Sequence, residues 1–128
     1  MIYLDTSVVL AQLFDEAKAP PASLWHQTLI SSRLLVYELW NRVHARRLSQ
    51  SHQAEARALI GAVNFVEMIP PVLARALQPF PVSVATLDAL HLATMDYLRG
   101  RGEHVELASY DERLLVAARS LGFASAAL

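Results

Sequence analysis

The hydrophobic positions of the chain alternate between short apolar runs and longer stretches with helical spacing. Residues 2–4 form an apolar run of the kind found in a buried parallel strand. Residues 32–48 instead place Leu35, Leu39 and Val43 four residues apart, which predicts one face of a helix. The predicted strands span residues 2–4, 28–30, 65–69, 105–108 and 123–125. The predicted helices span residues 6–13, 20–25, 32–48, 52–63, 73–77, 86–98 and 111–121.

The order of these elements predicts the fold class. Thr6 or Ser7 is expected to cap the first helix, and Thr86 the helix over 86–98, which Gly100 and Gly102 should end. Strands that alternate with helices are typical of an α/β fold, in which helices cover a mostly parallel central sheet. The chain shows neither an internal repeat nor a linker, so residues 1–128 are expected to form a single domain.

Composition narrows the function classes. Of the 128 residues 54% are hydrophobic and 18% charged, as in a folded domain with its own core. The absence of cysteine excludes zinc–thiolate sites, thiol catalysis and disulfides. No apolar stretch is long enough to cross a membrane and no signal-type segment begins the sequence, so a cytoplasmic protein is expected.

The charge distribution leaves nucleic-acid binding open. A net charge of −1 argues against binding through bulk positive charge. However, Arg42, Arg46 and Arg47 cluster around His44, and guanidinium groups match the geometry of phosphate oxygens. The cluster is therefore either a phosphate-binding surface or an ordinary solvated helix face.

Four acidic residues are the candidate chemistry of the chain. Asp5 directly follows the first predicted strand, Asp111 follows the strand over 105–108, Asp88 opens a helix, and Glu38 lies in an apolar helix. Ligands of open α/β sheets gather at the carboxyl ends of strands, where these side chains could meet. Carboxylates so close repel one another, and a hard divalent cation such as Mg²⁺ or Mn²⁺ relieves that repulsion.

Each acid also has a purely structural interpretation. Asp5, Asp88 and Asp111 all lie at predicted helix starts, where a carboxylate caps backbone N–H groups. Glu38 could form an ion pair with Arg42 one turn later. The remaining acids considered are expected in solvent; they are Asp15, Glu16, Glu55, Asp96, Glu103, Glu106 and Glu112.

Four segments carry a resemblance to a known family. They are IYLDTS at 2–7, LVYEL at 35–39, DALHLA at 88–93 and ASYDERL at 108–114. In this order and spacing they resemble the PIN-domain ribonucleases, and specifically the VapC-type toxins of bacterial toxin–antitoxin pairs. The resemblance covers essentially the whole chain. It implies a three-layer α/β/α fold with an acidic pocket for Mg²⁺ or Mn²⁺.

Site roles follow from the same resemblance. Asp5 and Asp88 would be direct metal ligands, with Glu38 and Asp111 acting through water or on a second ion. Thr6 or Ser109 would support the pocket, and the substrate would be RNA, often tRNA or ribosomal RNA. These catalytic and metal-binding roles rest on the family likeness. The resemblance also implies an antitoxin partner, whose tail enters the active-site groove, and a homodimer.

Other interpretations remain open. His91 and His104 suggest a metal-free, histidine-based ribonuclease, although His91 could simply be bonded locally within its helix. A PIN-like scaffold that binds RNA or a partner without cutting is a non-enzymatic alternative. A partner helix could cover a groove, and the candidate residues for it are Leu24, Trp25, Leu39 and Trp40. Residues 70–84 carry no motif that indicates a role.

Overall fold

The fold is an α/β sandwich in which helices cover both faces of a parallel sheet. The computed structural model describes residues 1–14 and 17–128, so the predicted positions of Asp15 and Glu16 lie outside it. The strands are β1 (Ile2–Leu4), β2 (Leu29–Ser32), β3 (Asn64–Val66), β4 (Glu106–Ala108) and β5 (Ala124–Ser125). The helices are α1 (Thr6–Leu13), α2 (Leu34–Ala45), α3 (Ser49–Gly61), α4 (Pro70–Ala76), α5 (Thr86–Gly100) and α6 (Glu112–Ser120), with a 3₁₀ helix at Ala22–His26.

The sheet places the first strand at its centre. The strand order is β3-β2-β1-β4-β5, and every neighbouring pair is parallel. Residue Ile2 pairs with Leu29 on one side and with Glu106 on the other. All strands therefore end at the same edge, and β1 lies between neighbours that come from distant parts of the chain. This confirms the predicted α/β class and the three-layer arrangement.

Two apolar cores form because side chains alternate across the strands. In β1, Ile2 and Leu4 pack into the core beneath α1, α2 and α3, whereas Tyr3 faces the core formed with α5 and α6. In β4, Leu107 and Ala108 divide between the two cores in the same way. The short apolar runs of the sequence are therefore buried on both faces, as expected for strands in a parallel sheet.

The predicted helix over 32–48 is shorter at both ends in the structure, where α2 spans Leu34–Ala45. Strand β2 extends through Ser31 and Ser32, and α2 then ends at Ala45. Arg47 follows in the left-handed region with φ 56°, and its N–H bonds the carbonyl of His44. This closes the helix as a glycine usually would, and α3 begins at Ser49.

Four boundary predictions near prolines and glycines need correction. Strand β3 ends at Val66, and Pro70 begins α4, because proline fits the first turn of a helix, where no N–H is required. Thr86 does not cap α5; Ala85 occupies the cap position without a side-chain bond. The helix also runs through Gly100, since it is Gly102, with φ 86°, that turns the chain away. None of the helices in the described residues is long and apolar enough to cross a membrane.

Candidate active site

The acidic residues meet at the edge where the strands end. Asp5 follows β1 and Asp111 lies just beyond β4, and these two strands are neighbours in the sheet. The backbone N–H of Asp5 donates to the carbonyl of Ala108 over 3.0 Å. From β1 the chain continues to β2 on one side, while β4 and β5 lie on the other, so this crevice is the switch point of the sheet.

A single pocket collects all four predicted acids. Its volume is about 370 Å³. Its lining residues are Asp5, Thr6, Ser7, Leu10, Glu38, Asn41, Arg42, Leu87, Asp88 and Asp111. The convergence that the sequence predicts is therefore present, and Thr6 and Arg42 lie with the acids. Ser109 does not line this pocket, although it contacts Asp5 directly.

Asp5 is held through one of its two oxygens. Its Oδ2 accepts from the hydroxyl of Ser7 over 2.6 Å and from the hydroxyl of Ser109 over 2.8 Å. The backbone N–H of Ser7 approaches the same oxygen at 3.4 Å, which makes Asp5 the cap of α1 in place of Thr6 or Ser7. Oδ1 forms no hydrogen bond with the described residues. The capping role and an open ligand oxygen therefore coexist in one side chain.

Asp111 repeats this arrangement at the start of α6. Its Oδ1 accepts the backbone N–H groups of Arg113 and Leu114 over 3.0 and 3.3 Å. Its Oδ2 has no hydrogen-bond partner in residues 1–14 or 17–128. The structural interpretation of this acid as a helix cap is thus correct, and it leaves one oxygen available to the pocket.

Glu38 is tied to two other elements and not to Arg42. Its Oε1 accepts the hydroxyl of Thr6 over 2.8 Å and bonds Nε2 of His91 over 2.6 Å. Within the described part of the chain, Glu38 and Arg42 form no ion pair, so the predicted one-turn pair is wrong. Thr6 therefore supports the pocket as predicted, but it does so through Glu38. Oε2 of Glu38 makes no described hydrogen bond.

Asp88 differs from the other three because it forms no hydrogen bond with the described residues. It lies in the first turn of α5 and is half-buried. Burial raises the pKa of its carboxyl, and the nearby charges of Asp111, Asp5 and Glu38 raise it further, although His91 acts against them. The charged form of Asp88 is thus destabilised by its surroundings, and a cation would remove that penalty.

The donor set fits a hard divalent metal ion. No three acidic or histidine side chains of the described residues lie close enough to form a ready-made metal site. Mg²⁺, however, commonly takes only one or two carboxylates and keeps several waters. The pocket offers carboxylate oxygens without competing hydrogen bonds on four residues, and these are the ligands that Mg²⁺ and Mn²⁺ prefer.

Comparison with known proteins agrees with this geometry. The family model of the PIN domain matches residues 2–120. The chain belongs to the PIN-domain family. Ribonuclease VapC47 of Mycobacterium tuberculosis (strain CDC 1551 / Oshkosh) is 30% identical over 133 aligned positions, which cover 98% of this chain and 96% of that protein. The predicted likeness to VapC-type ribonucleases is therefore confirmed.

A solved structure shows the same PIN fold. The crystal structure of Mycobacterium tuberculosis VapC20, described as a sarcin–ricin loop cleaving toxin, superposes with a TM-score of 0.73. The alignment covers 100% of both chains at 19% sequence identity. At that identity the comparison establishes the fold, including the three layers around the parallel sheet.

The three predicted RNA-binding arginines lie at different distances from the centre of this PIN domain. Arg42 lines the acidic pocket and also a neighbouring pocket of about 210 Å³, which contains Lys18 and Arg46 as well. The guanidinium of Arg46 lies 4.2 Å from the ring centroid of Phe14. Arg47 lines neither pocket, because it occupies the left-handed residue after α2.

Sequence reasoning missed the roles of Ser7 and His91. Ser7 donates to Asp5 and accepts the backbone N–H of Tyr110 over 2.9 Å, so it links the two acidic loops. His91 is 1% exposed, and it bonds Glu38 and Tyr3 on other elements instead of a group in its own helix. Burial lowers the pKa of His91, but its hydrogen bond to the Glu38 carboxylate and the surrounding carboxylates outweigh burial and raise that pKa. His104 lies outside the acidic pocket, and its side chain is 86% exposed.

Proposed function

We propose that this chain is a Mg²⁺- or Mn²⁺-dependent endoribonuclease that hydrolyses phosphodiester bonds in RNA. The observation that carries the proposal is the single pocket lined by Asp5, Glu38, Asp88 and Asp111, each with at least one oxygen free of described hydrogen bonds. Membership of the PIN-domain family and the 30% identity to a ribonuclease support the reaction class. The single domain over residues 1–128 would carry the activity.

The proposed metal ligands are carboxylates with at least one oxygen that has no described hydrogen-bond donor. Asp5 and Asp88 would bind the ion directly, and Glu38 and Asp111 would act through water or on a second ion. When bound, the metal polarises a phosphate oxygen and lowers the pKa of a coordinated water. Asp88 suits direct binding because no described donor satisfies it. Asp5 suits it because Ser7 and Ser109 fix one oxygen and leave the other open.

The protein side chains position the reactants. Glu38 or Asp111 would orient the attacking water and accept its proton as general base. Thr6 holds Glu38, and Ser109 holds Asp5, so both hydroxyls keep the carboxylates in place. These contacts fix the orientations of two of the pocket's carboxylates, Glu38 and Asp5.

Arginine side chains would hold the RNA backbone. Arg42 borders both pockets, so it can contact the phosphate next to the metal, whereas Arg46 lines only the neighbouring pocket and Arg47 lines neither. Such contacts position RNA without reading its sequence. Replacing Arg42 with alanine should weaken RNA binding more than replacing Arg47. A filter-binding titration at several salt concentrations measures the difference, since each lost phosphate contact reduces the salt dependence.

The biological role proposed is that of the toxin in a toxin–antitoxin pair. VapC20 is described as a sarcin–ricin loop cleaving toxin, and a tRNA or ribosomal RNA target in the cytoplasm is proposed for this chain. Cutting such RNA would arrest growth by inhibiting translation. Sequencing RNA 5′ ends after induced expression, with Asp5→Asn as control, would identify the target. New 5′ ends in both samples would contradict the proposal.

A cognate antitoxin and a homodimer are the proposed partners. Of the groove candidates, Leu24 and Leu39 are buried in the core, and the partly buried Trp25 and Trp40 pack against it, so core packing accounts for these residues. An apolar groove of about 520 Å³ lies instead along α4 and the start of α5. Its lining includes Thr86, Ala89 and Leu90 of α5, the helix that also carries Asp88, and it suits an antitoxin segment with apolar residues.

Co-expression with the neighbouring open reading frame tests whether the chain binds an antitoxin. Light scattering after size-exclusion chromatography tests whether it forms a homodimer. Leu77 is 89% exposed on the groove, so Leu77→Asp should weaken the complex without disturbing the core. Undiminished binding by that variant would contradict the assignment of the groove. A monomer at micromolar concentration would contradict the homodimer.

The central experiment is RNA cleavage by purified protein with Mg²⁺, with Mn²⁺ and with EDTA. Cleavage should require the metal and should be lost in Asp5→Asn. Cleavage that persists in EDTA would favour the histidine-based alternative. RNA binding without any cleavage by the wild-type protein would favour the non-catalytic scaffold.

A further inference from the structure

A buried chain of hydrogen bonds runs from the end of β2 to Glu38. The backbone N–H of Ser32 donates to Oη of Tyr3 over 3.2 Å, and Oη of Tyr3 lies 2.7 Å from Nδ1 of His91. The other ring nitrogen of His91, Nε2, lies 2.6 Å from Oε1 of Glu38. Tyr3 is fully buried and His91 is 1% exposed, so the chain is shielded from solvent.

The partners fix the direction of each bond. The Ser32 N–H can only donate, so Oη of Tyr3 accepts there and its own proton is free for Nδ1 of His91. Burial raises the pKa of the Tyr3 phenol, which keeps that proton in place. A neutral imidazole that accepts at one nitrogen donates at the other, and an imidazolium donates at both. Nε2 therefore carries the hydrogen and donates it to Glu38.

We propose that His91 is a positioning residue for Glu38, and that Tyr3 sets the ring nitrogen with which it acts. His91 on α5 and Thr6 on α1 both donate to Oε1, so this oxygen is fixed from two sides of the pocket. The second oxygen, Oε2, is thereby reserved for the metal ion or the attacking water. This inference rests on the proposed function and assigns to it two residues outside the acidic set.

Two substitutions of similar polarity, His91→Gln and His91→Asn, test whether His91 positions Glu38 or only fills space in the core. The amide nitrogen of glutamine in His91→Gln can occupy the place of Nε2 and donate to Glu38. The shorter amide of His91→Asn reaches only the place of Nδ1, where it can accept from Tyr3. Both variants lose ring volume, so a purely structural role for His91 predicts similar losses from both.

The measurements are Mn²⁺ affinity without RNA, by electron paramagnetic resonance, and kcat and KM for RNA cleavage. We expect His91→Asn to bind Mn²⁺ about 10-fold more weakly and to lose about 10- to 100-fold in kcat at unchanged KM, the scale found for supporting partners of metal ligands. His91→Gln should stay within about 3-fold of wild type, since it restores the donor to Glu38. Equal losses in both variants, or none in His91→Asn, would overturn the proposal.

Nitrogen-15 NMR of the His91 ring provides a readout that needs neither RNA nor metal. The wild-type protein should show a protonated Nε2 in a strong hydrogen bond, and Tyr3→Phe should shift the ring signals because Nδ1 loses its donor. A wild-type ring protonated only at Nδ1 would refute the assignment. If wild-type protein neither binds Mn²⁺ nor cleaves RNA, the proposed function fails; if it does both and His91→Asn matches it, only this inference fails.

Discussion

Two aspartates on helix α5 lie in opposite electrostatic environments. Asp96 accepts Nε of Arg75 over 2.7 Å and Nη2 of Arg99 over 2.8 Å. Burial alone would raise its pKa, but the two guanidinium groups outweigh burial and lower it. Asp88, about two turns earlier on the same helix, has no described donor, and both burial and the nearby like charges raise its pKa.

The comparison distinguishes a carboxylate whose charge stabilises the fold from one whose charge is available to bind a ligand. Around Asp96 the protein provides its own cations, so the charge is compensated in the folded state. Around Asp88 compensation is left to something that binds, which is how functional sites commonly depart from the stability optimum. A helix that carries both kinds of aspartate therefore supplies a matched internal control.

The largest expected effect is on RNA cleavage. Asp88→Asn, like Asp5→Asn, should lower the cleavage rate about 10³-fold or more, which corresponds to roughly 4 kcal/mol of barrier, because each removes a proposed direct metal ligand. Asp96→Asn should retain most of the wild-type rate. Single-turnover cleavage of a labelled RNA measures all three. The contrast breaks down if Asp88→Asn cleaves as fast as Asp96→Asn.

Metal binding should stabilise the fold only through the acidic pocket. At a Mn²⁺ concentration 100 times the Kd, linkage gives about 2.7 kcal/mol of additional stability. Thermal unfolding with and without Mn²⁺ should show this increase in the wild type and in Asp96→Asn. Asp88→Asn should show little of it. An equal increase in Asp88→Asn would place the ion elsewhere.

Removing the compensated charge should reduce stability. Asp96→Asn weakens two charge-assisted hydrogen bonds on a partly exposed side chain, and we expect a loss of about 1–2 kcal/mol at neutral pH. The pKa of Asp96 is lowered on folding, so its contribution is present above its ordinary value of 3.8 and disappears as pH falls through the folded pKa. Urea unfolding at several pH values should show the two proteins converging at low pH. A constant difference would contradict the ion-pair explanation.

The smallest expected effect has the opposite sign. In metal-free protein at neutral pH, Asp88→Asn should raise the unfolding temperature by about 2–4 °C, which is less than about 1 kcal/mol in a domain of this size. The physical reason is relief of repulsion from Asp5 and Asp111. Differential scanning calorimetry in EDTA measures the shift. A decrease in the unfolding temperature would show that Asp88 stabilises the metal-free fold, as Asp96 does, and would contradict the contrast between the two residues.

The sequence predicts the acidic pocket because its members obey local rules. Asp5 and Asp111 each follow a strand, and parallel strands end at one edge, so their approach could be inferred without coordinates. The fold class follows from the same alternation. The neighbourhood of Asp96 could not be inferred, because Arg75 lies on another helix, and the expectation of a fully solvated Asp96 needs correction.

Other features depend on distances that a residue pattern does not contain. The bond between His91 and Glu38 joins positions 53 apart in the chain. The break after α2 falls on Arg47, a residue type that gives no turn signal. The apolar groove is lined by Leu73 and Leu77 on α4 and not by the tryptophans, since residue type alone does not say which apolar side chain remains exposed.

The pairing of β1 with β4 has a consequence for protein synthesis. It joins residues 2–4 to residues 106–108, so β1 can pair with β2 early in synthesis but gains its second neighbour only when nearly the whole chain has been made. Contacts with such long sequence separation form late in folding. A nascent chain that still lacks β4 cannot bring Asp111 to Asp5, so the acidic pocket is complete only when synthesis is nearly finished.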